Sequence, residues 1–194
     1  GTTPKTYGVI NLGALMNHRP ENNFFQGSTV PSTPNIFSGT VNIGNNSAMR
    51  FRGFNRFEEN VEFGDNNEIS FEDANQTFRQ NLTFNGGGQF SATEGNAPTV
   101  DILIEGDFTV SGSGLAYNID DRFTVYGNAN MGENATGDIN DVTCMTDIGG
   151  NLIIGANATD LDFHRNSTIQ GTTTIGTSAN VSFGHTNHSA STFR

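Results

Sequence analysis

One six-residue phrase returns seven times along the chain. It reads GTVNIG at 39–44, ENVEFG at 59–64, QNLTFN at 80–85, GDFTVS at 106–111, GNANMG at 127–132, GNLIIG at 150–155 and GTTTIG at 171–176. The third residues of successive phrases are 20, 21, 26, 21, 23 and 21 positions apart. A period of this size marks a solenoid. Each repeat is too small to bury its own apolar face and becomes stable only when stacked on its neighbours.

The decoration of each repeat selects strand over helix. Most phrases place an apolar residue at the third and fifth positions around a polar one, which is period 2. Eight and ten residues after the third position come Met49/Phe51, Ile69/Phe71, Phe90/Ala92 and Val181/Phe183. Leu161/Phe163 and Leu115/Tyr117 fit with a slip of one residue. A third apolar cluster follows at Phe57, Phe78, Ile102/Ile104, Phe123/Val125 and Ile169. Gly and Asn recur too often for helices. The pattern predicts an all-β chain: a β-solenoid, right-handed, of about seven coils of about 21 residues, each with three short strands. The solenoid is expected over residues 39–194. Residues 1–38 depart from the repeat and are expected to cap the first coil or dock on another subunit. VINLG at 9–13 is a weaker echo of the phrase, and the 26-residue step holds an insertion near EGNAP at 94–98.

The small residues at the start of each phrase fit corners between strands, where Gly takes left-handed backbone freely and Asn tolerates it. Asn60, Asn81, Asn128 and Asn151 share the second position and are expected to hydrogen-bond from coil to coil as a structural ladder. The middle position of the first strand reads Asn42, Glu62, Thr83, Thr109, Asn130, Ile153 and Thr174, an outward row interrupted by one apolar residue. Arg52 falls one coil below Glu72, an ion pair worth under about 1 kcal/mol if exposed.

Composition narrows the class. Only 34% of the 194 residues are hydrophobic, which could signal disorder, but 16 Phe argue for a packed core. A net charge of −11, with Lys5 as the single lysine, disfavours nucleic acid and anionic membrane as partners. No apolar run reaches the length of a membrane-spanning helix. The start at Gly1 reads as a processed chain or a fragment.

Candidate chemistry is sparse. NIDD at 118–121, GDIND at 137–141 and TDLD at 159–162 place acids in expected turns, without the spacing of a calcium loop. His18, His164, His185 and His188 lack the convergent partners zinc requires, and Cys144 reads as a small buried hydrophobe. Arg50, Arg52, Arg56 and Arg79 form the one basic cluster. Catalytic, cofactor and metal sites are therefore not expected. Sequons at Asn45, Asn75, Asn81, Asn134, Asn157, Asn166, Asn180 and Asn187 are candidate glycosylation sites in a secreted protein. Phe24, Phe25, Ile153 and Phe193 are candidate subunit contacts.

The architecture so read resembles the right-handed β-helices of pectin-lyase-like proteins, in general plan and without a shared motif. That resemblance implies a polysaccharide lyase or hydrolase as one alternative. A row of Thr on one face would suit ice binding, but Asn130 and Ile153 break it. A glycan-binding adhesin or phage-fibre segment is the stronger alternative. The leading expectation is a non-enzymatic extracellular or cell-surface structural protein whose partner is itself, assembled end to end into a fibre or surface layer.

Overall fold

The computed structural model describes residues 5–12, 25–26, 32–93, 100–139, 146–163, 167–184 and 192–193. The described chain is all-β and winds as a parallel β-solenoid of three sheets. Every third strand joins the same sheet, and neighbouring strands in each sheet come from successive turns. The first sheet has nine strands and includes Asn35–Phe37, Asn55–Phe57, Gln76–Phe78, Ile102–Ile104, Phe123–Val125, Thr146–Ile148 and Ser167–Ile169. The second has eight, among them Val41–Ile43, Val61–Phe63, Leu82–Phe84, Phe108–Val110, Leu152–Ile154 and Thr173–Ile175. The third, also of eight, carries the longer strands, such as Asn67–Glu72, Gly88–Thr93 and Leu115–Ile119.

The strand count slightly exceeds the seven phrases because an earlier turn lacks the full motif. Thr6–Tyr7, Ile10–Leu12 and Phe25–Gln26 each add a parallel strand to one of the sheets. The echo thus supplies the second-sheet strand of this turn, Ile10–Leu12, with Ile10 paired to Val41. Asn35–Phe37, also before residue 39, belongs to the body, and Phe37 is fully buried.

The register follows the period-2 reading closely. Asn42, Glu62, Thr83, Thr109, Asn130, Ile153 and Thr174 form one continuous ladder on the outside of the second sheet. One pair shifts: Phe90 and Ala92 stack against Tyr117 and Ile119, not against Leu115 and Tyr117. Leu115 pairs with Gly88. Asp120 and Asp121 lie in the bend after Leu115–Ile119, as expected, whereas the described acids of the other two groups lie in strands. Asp138 and Asp162 are paired neighbours in the third sheet, and Asp160 sits at a register shift with φ 51°.

Phe and β-branched residues fill the bore. Along the first sheet Tyr7, Phe37, Phe57 and Phe78 stack with centroids 4.8, 4.5 and 4.7 Å apart, close to the strand spacing itself. The same ladder continues as Ile104, Val125, Ile148 and Ile169. Phe51 stacks over Phe71 on the third sheet, and Phe63 meets Phe84 tilted by 40° on the second. Tyr117 brings a phenol hydroxyl into the core. It donates to the Met131 carbonyl at 2.8 Å, and burial pushes its pKa well above the ordinary value.

Candidate functional site

The corner leading into the second sheet carries the predicted asparagine ladder, and its geometry is now specific. Each side-chain oxygen accepts the backbone N–H of the equivalent residue one coil on. Asn60 Oδ1 accepts from Asn81 at 3.2 Å, Asn128 Oδ1 from Asn151 at 2.9 Å and Asn151 Oδ1 from Thr172 at 2.9 Å. Asp107 fills the gap between the two asparagine pairs. Its own N–H donates to Asn81 Oδ1 at 2.8 Å, and its Oδ1 accepts from Asn128 N at 2.7 Å. An amide and a carboxylate serve equally, since both present an acceptor oxygen at the same reach.

A second amide row lies inside, where sequence reasoning did not place one. Asn35, Asn55 and Gln76 are buried at the first position of their first-sheet strands. Asn35 Nδ2 donates to Asn55 Oδ1 at 3.3 Å, Asn55 Nδ2 to Gln76 Oε1 at 2.9 Å, and Gln76 Nε2 to the Gly53 and Ala74 carbonyls at 2.9 and 2.6 Å. The row satisfies backbone carbonyls at the corner, where burying them unpaired would be costly. The signal was present in NIF, NRF and QTF, where an amide precedes a buried Phe by two residues at repeat spacing.

The basic cluster is neutralised by neighbours. Arg52 Nε donates to Glu72 Oε2 at 3.0 Å and lies 3.5 Å from Asp73, and Arg50 Nε lies 2.8 Å from Glu72 Oε1. Arg56 pairs with Glu58 at 2.5 Å, and Arg79 with Glu105. Asp121 is buried and accepts the Val100 N–H at 2.6 Å, which makes it a backbone cap. Among the described residues, no group of three or more His, Cys, Asp and Glu converges for a metal. No described helix is long and apolar enough to cross a membrane.

A trough runs along the outer face of the first sheet. Its floor is the ladder Thr77, Leu103, Thr124, Asp147 and Thr168. One wall carries Asn75, Asp101 and Arg122, and the other carries Tyr126 and Gln170 with Gly149 between them. The cavity holds about 420 Å³. A shallower depression sharing Asn75, Thr77 and Leu103 extends it toward Arg56 and Arg79. Asn75 grips Asp101 twice, taking its N–H on Oδ1 at 3.0 Å and donating from Nδ2 to Oδ2 at 3.3 Å. Partial burial raises the Asp101 pKa, against the opposing pull of the Arg122 charge. Tyr126 is 61% exposed, the one exposed aromatic among the described residues.

Other predicted positions are dispersed. Ile153 is 43% exposed on the second sheet, beside a depression that includes Asn130 and Glu133. Asn45, Asn81, Asn134, Asn157 and Asn180 are exposed, whereas Asn75 is half-buried in the trough wall. Asn134 and Asn157 turn corners with φ 51° and 56°. Phe25 and Phe193 fall in strands at the two ends of their sheets. Phe24, Cys144, His18, His164, His185, His188, Asn166, Asn187 and the 94–98 insertion lie outside the described residues.

No family model matches the chain, and no curated protein or solved structure is significantly similar to it.

Proposed function

We propose that the chain is a non-enzymatic, extracellular structural module that associates end to end, coil on coil, into a fibre or surface layer. The observation that carries this reading is the contrast between inner and outer coils. Ile154 and Phe163 are at most 1% exposed, whereas Ile175, next in the second-sheet ladder, is 49% exposed. Val181 and Phe183 are only half-buried, although Phe183 stacks on Phe163 at 4.8 Å. At the other end Val9 is 65% exposed, and Tyr7, Ile10 and Leu12 are half-buried. A parallel sheet edge with apolar residues beside it is a template for one more strand, and a solenoid continues wherever the next coil presents the same spacing. The acidic, Lys-poor exterior suits a surface bathed in salt.

Light scattering with negative-stain microscopy tests the reading. Filaments or a ladder of oligomers are expected, shifted toward monomer by Ile175→Asp combined with Phe183→Ser. A uniform monomer of 20.8 kDa at every concentration would overturn it.

A further inference from the structure

We propose that the trough on the first sheet binds a neutral polysaccharide chain lying along the solenoid axis, with one sugar ring seated on Tyr126. This inference does not depend on end-to-end assembly, because Tyr126 lies in the middle of the first sheet, far from both terminal strands.

The argument starts from the ring. Buried aromatics contribute strongly to stability, and this chain packs nearly all of its described Phe into the bore. Tyr126 instead stands in solvent beside a cavity. Gly149 follows it one coil on, with its N–H on the Val125 carbonyl at 2.8 Å. A Cβ at Gly149 would meet the Tyr126 carbonyl at 2.4 Å, so the position excludes a side chain. The close approach leaves no side chain between Tyr126 and Gln170 on this wall of the cavity. A pyranose suits an exposed ring beside such a cavity, since its C–H face covers an aromatic ring while its hydroxyls point sideways.

The walls match those hydroxyls. Each sugar hydroxyl donates and accepts, so it needs both partner types nearby. Asp101 and Asp147 offer acceptors, Arg122 offers donors, and Gln170 and Thr124 offer both. The lining also selects against other polymers. Its two carboxylates oppose a polyanion, and its guanidinium opposes a polycation. A peptide could not add as a strand here, because the trough is a sheet face whose backbone N–H and C=O groups are engaged along the axis. The cavity volume of about 420 Å³ falls among those of small-ligand sites, about 300–1,000 Å³, but its lining spans successive coils. That shape fits a linear chain.

The test is a binding screen of the intact chain against soluble neutral glucans, mannans, xylans and chitin oligosaccharides, with heparin and polygalacturonate as charged probes. Calorimetry on the best neutral hit follows. Saturable binding to a neutral glycan is expected, weakened about tenfold or more by Tyr126→Ala and largely kept by Tyr126→Phe, as loss of one stacking surface implies. Ile153→Thr on the second sheet should leave affinity unchanged. Tyr126 is exposed, so its substitution should not perturb folding, and circular dichroism checks this. Three results would overturn the proposal: no binding to any neutral glycan, binding confined to the charged probes, or binding that Tyr126→Ala leaves intact.

Discussion

Phe57 and Phe78 lie face to face one coil apart, with ring centroids 4.7 Å apart and planes 4° from parallel. The spacing is set by the backbone ladder rather than by the rings: Phe57 pairs with Phe78 across the parallel strands, as Phe37 does with Phe57. Stacked at the interstrand distance, the rings fill the bore without a gap, and each edge meets Phe51 or Phe71 at a steep angle.

Truncating the middle of that stack should therefore be expensive. Phe57→Ala is expected to destabilise by about 3–5 kcal/mol, through lost burial and the cavity left between Phe37 and Phe78. Phe57→Leu should lose less, since Ile104 already occupies the same ladder further along. Urea midpoints for the two variants check the order.

The corner ladder gives a prediction of the opposite kind. Asn151→Ala removes the acceptor for the Thr172 N–H and should cost roughly 0.5–1.5 kcal/mol. Asn151→Asp should be close to neutral, because Asp107 already makes the same bond and the neighbours Asn128 and Thr172 carry no charge. Equal losses from the two substitutions, measured by denaturant unfolding, would show that the oxygen is not what matters.

Gly137 has φ +101°, and a Cβ there would meet the Tyr117 carbonyl at 2.1 Å. Gly137→Ala should lose about 1–3 kcal/mol from the backbone alone, with a further loss from displacing the third-sheet ladder. Hydrogen exchange at the amides paired between residues 115–119 and 136–139 should accelerate. Unchanged protection there would contradict the prediction.

Asp101 supplies a pH dependence whose sign is fixed. Burial raises its pKa above the ordinary 3.8. The unfolded chain therefore ionises first, and folding loses stability as pH rises from below 3.8 through the folded value. Asp101→Asn removes that loss while keeping an oxygen to accept from Asn75. The variant's stability relative to the parent should increase with pH across this window and then level off. Denaturant midpoints collected from strong acid to neutrality check the trend.

Much of this fold was legible in the sequence, for a physical reason. A parallel solenoid repeats its environment every turn, so Val41, Val61, Leu82 and Phe108 meet the same constraint and advertise it at fixed spacing. Where the environment changes, the reading weakened. Leu115 pairs with Gly88, not with Phe90 as expected, and composition alone does not reveal which coil shifts. Asp107 was missed in the corner ladder because the expectation looked for an amide where any acceptor oxygen serves. The buried row of Asn35, Asn55 and Gln76 was missed because the third cluster was read from its apolar residues, such as Phe57 and Phe78, and not from the amides two positions before them. The trough was not legible at all. It joins Asp101, Arg122, Tyr126 and Asp147, which belong to three consecutive turns and share no motif, and only the wall-to-wall geometry brings them together.

The coil-to-coil direction of the backbone bonds, such as Val61 N to Asn81 O at 3.0 Å and Leu82 N to Asp107 O at 3.0 Å, has a mechanical consequence. Across the axis, each turn is a loop of covalent chain. Along the axis, neighbouring turns are joined chiefly by hydrogen bonds and packed rings. Tension applied at the two ends loads the outermost turn first, and that turn peels before the next one bears the load. The molecule is stiff in girth and yields in length, one turn at a time, so extension should proceed in steps of about one repeat.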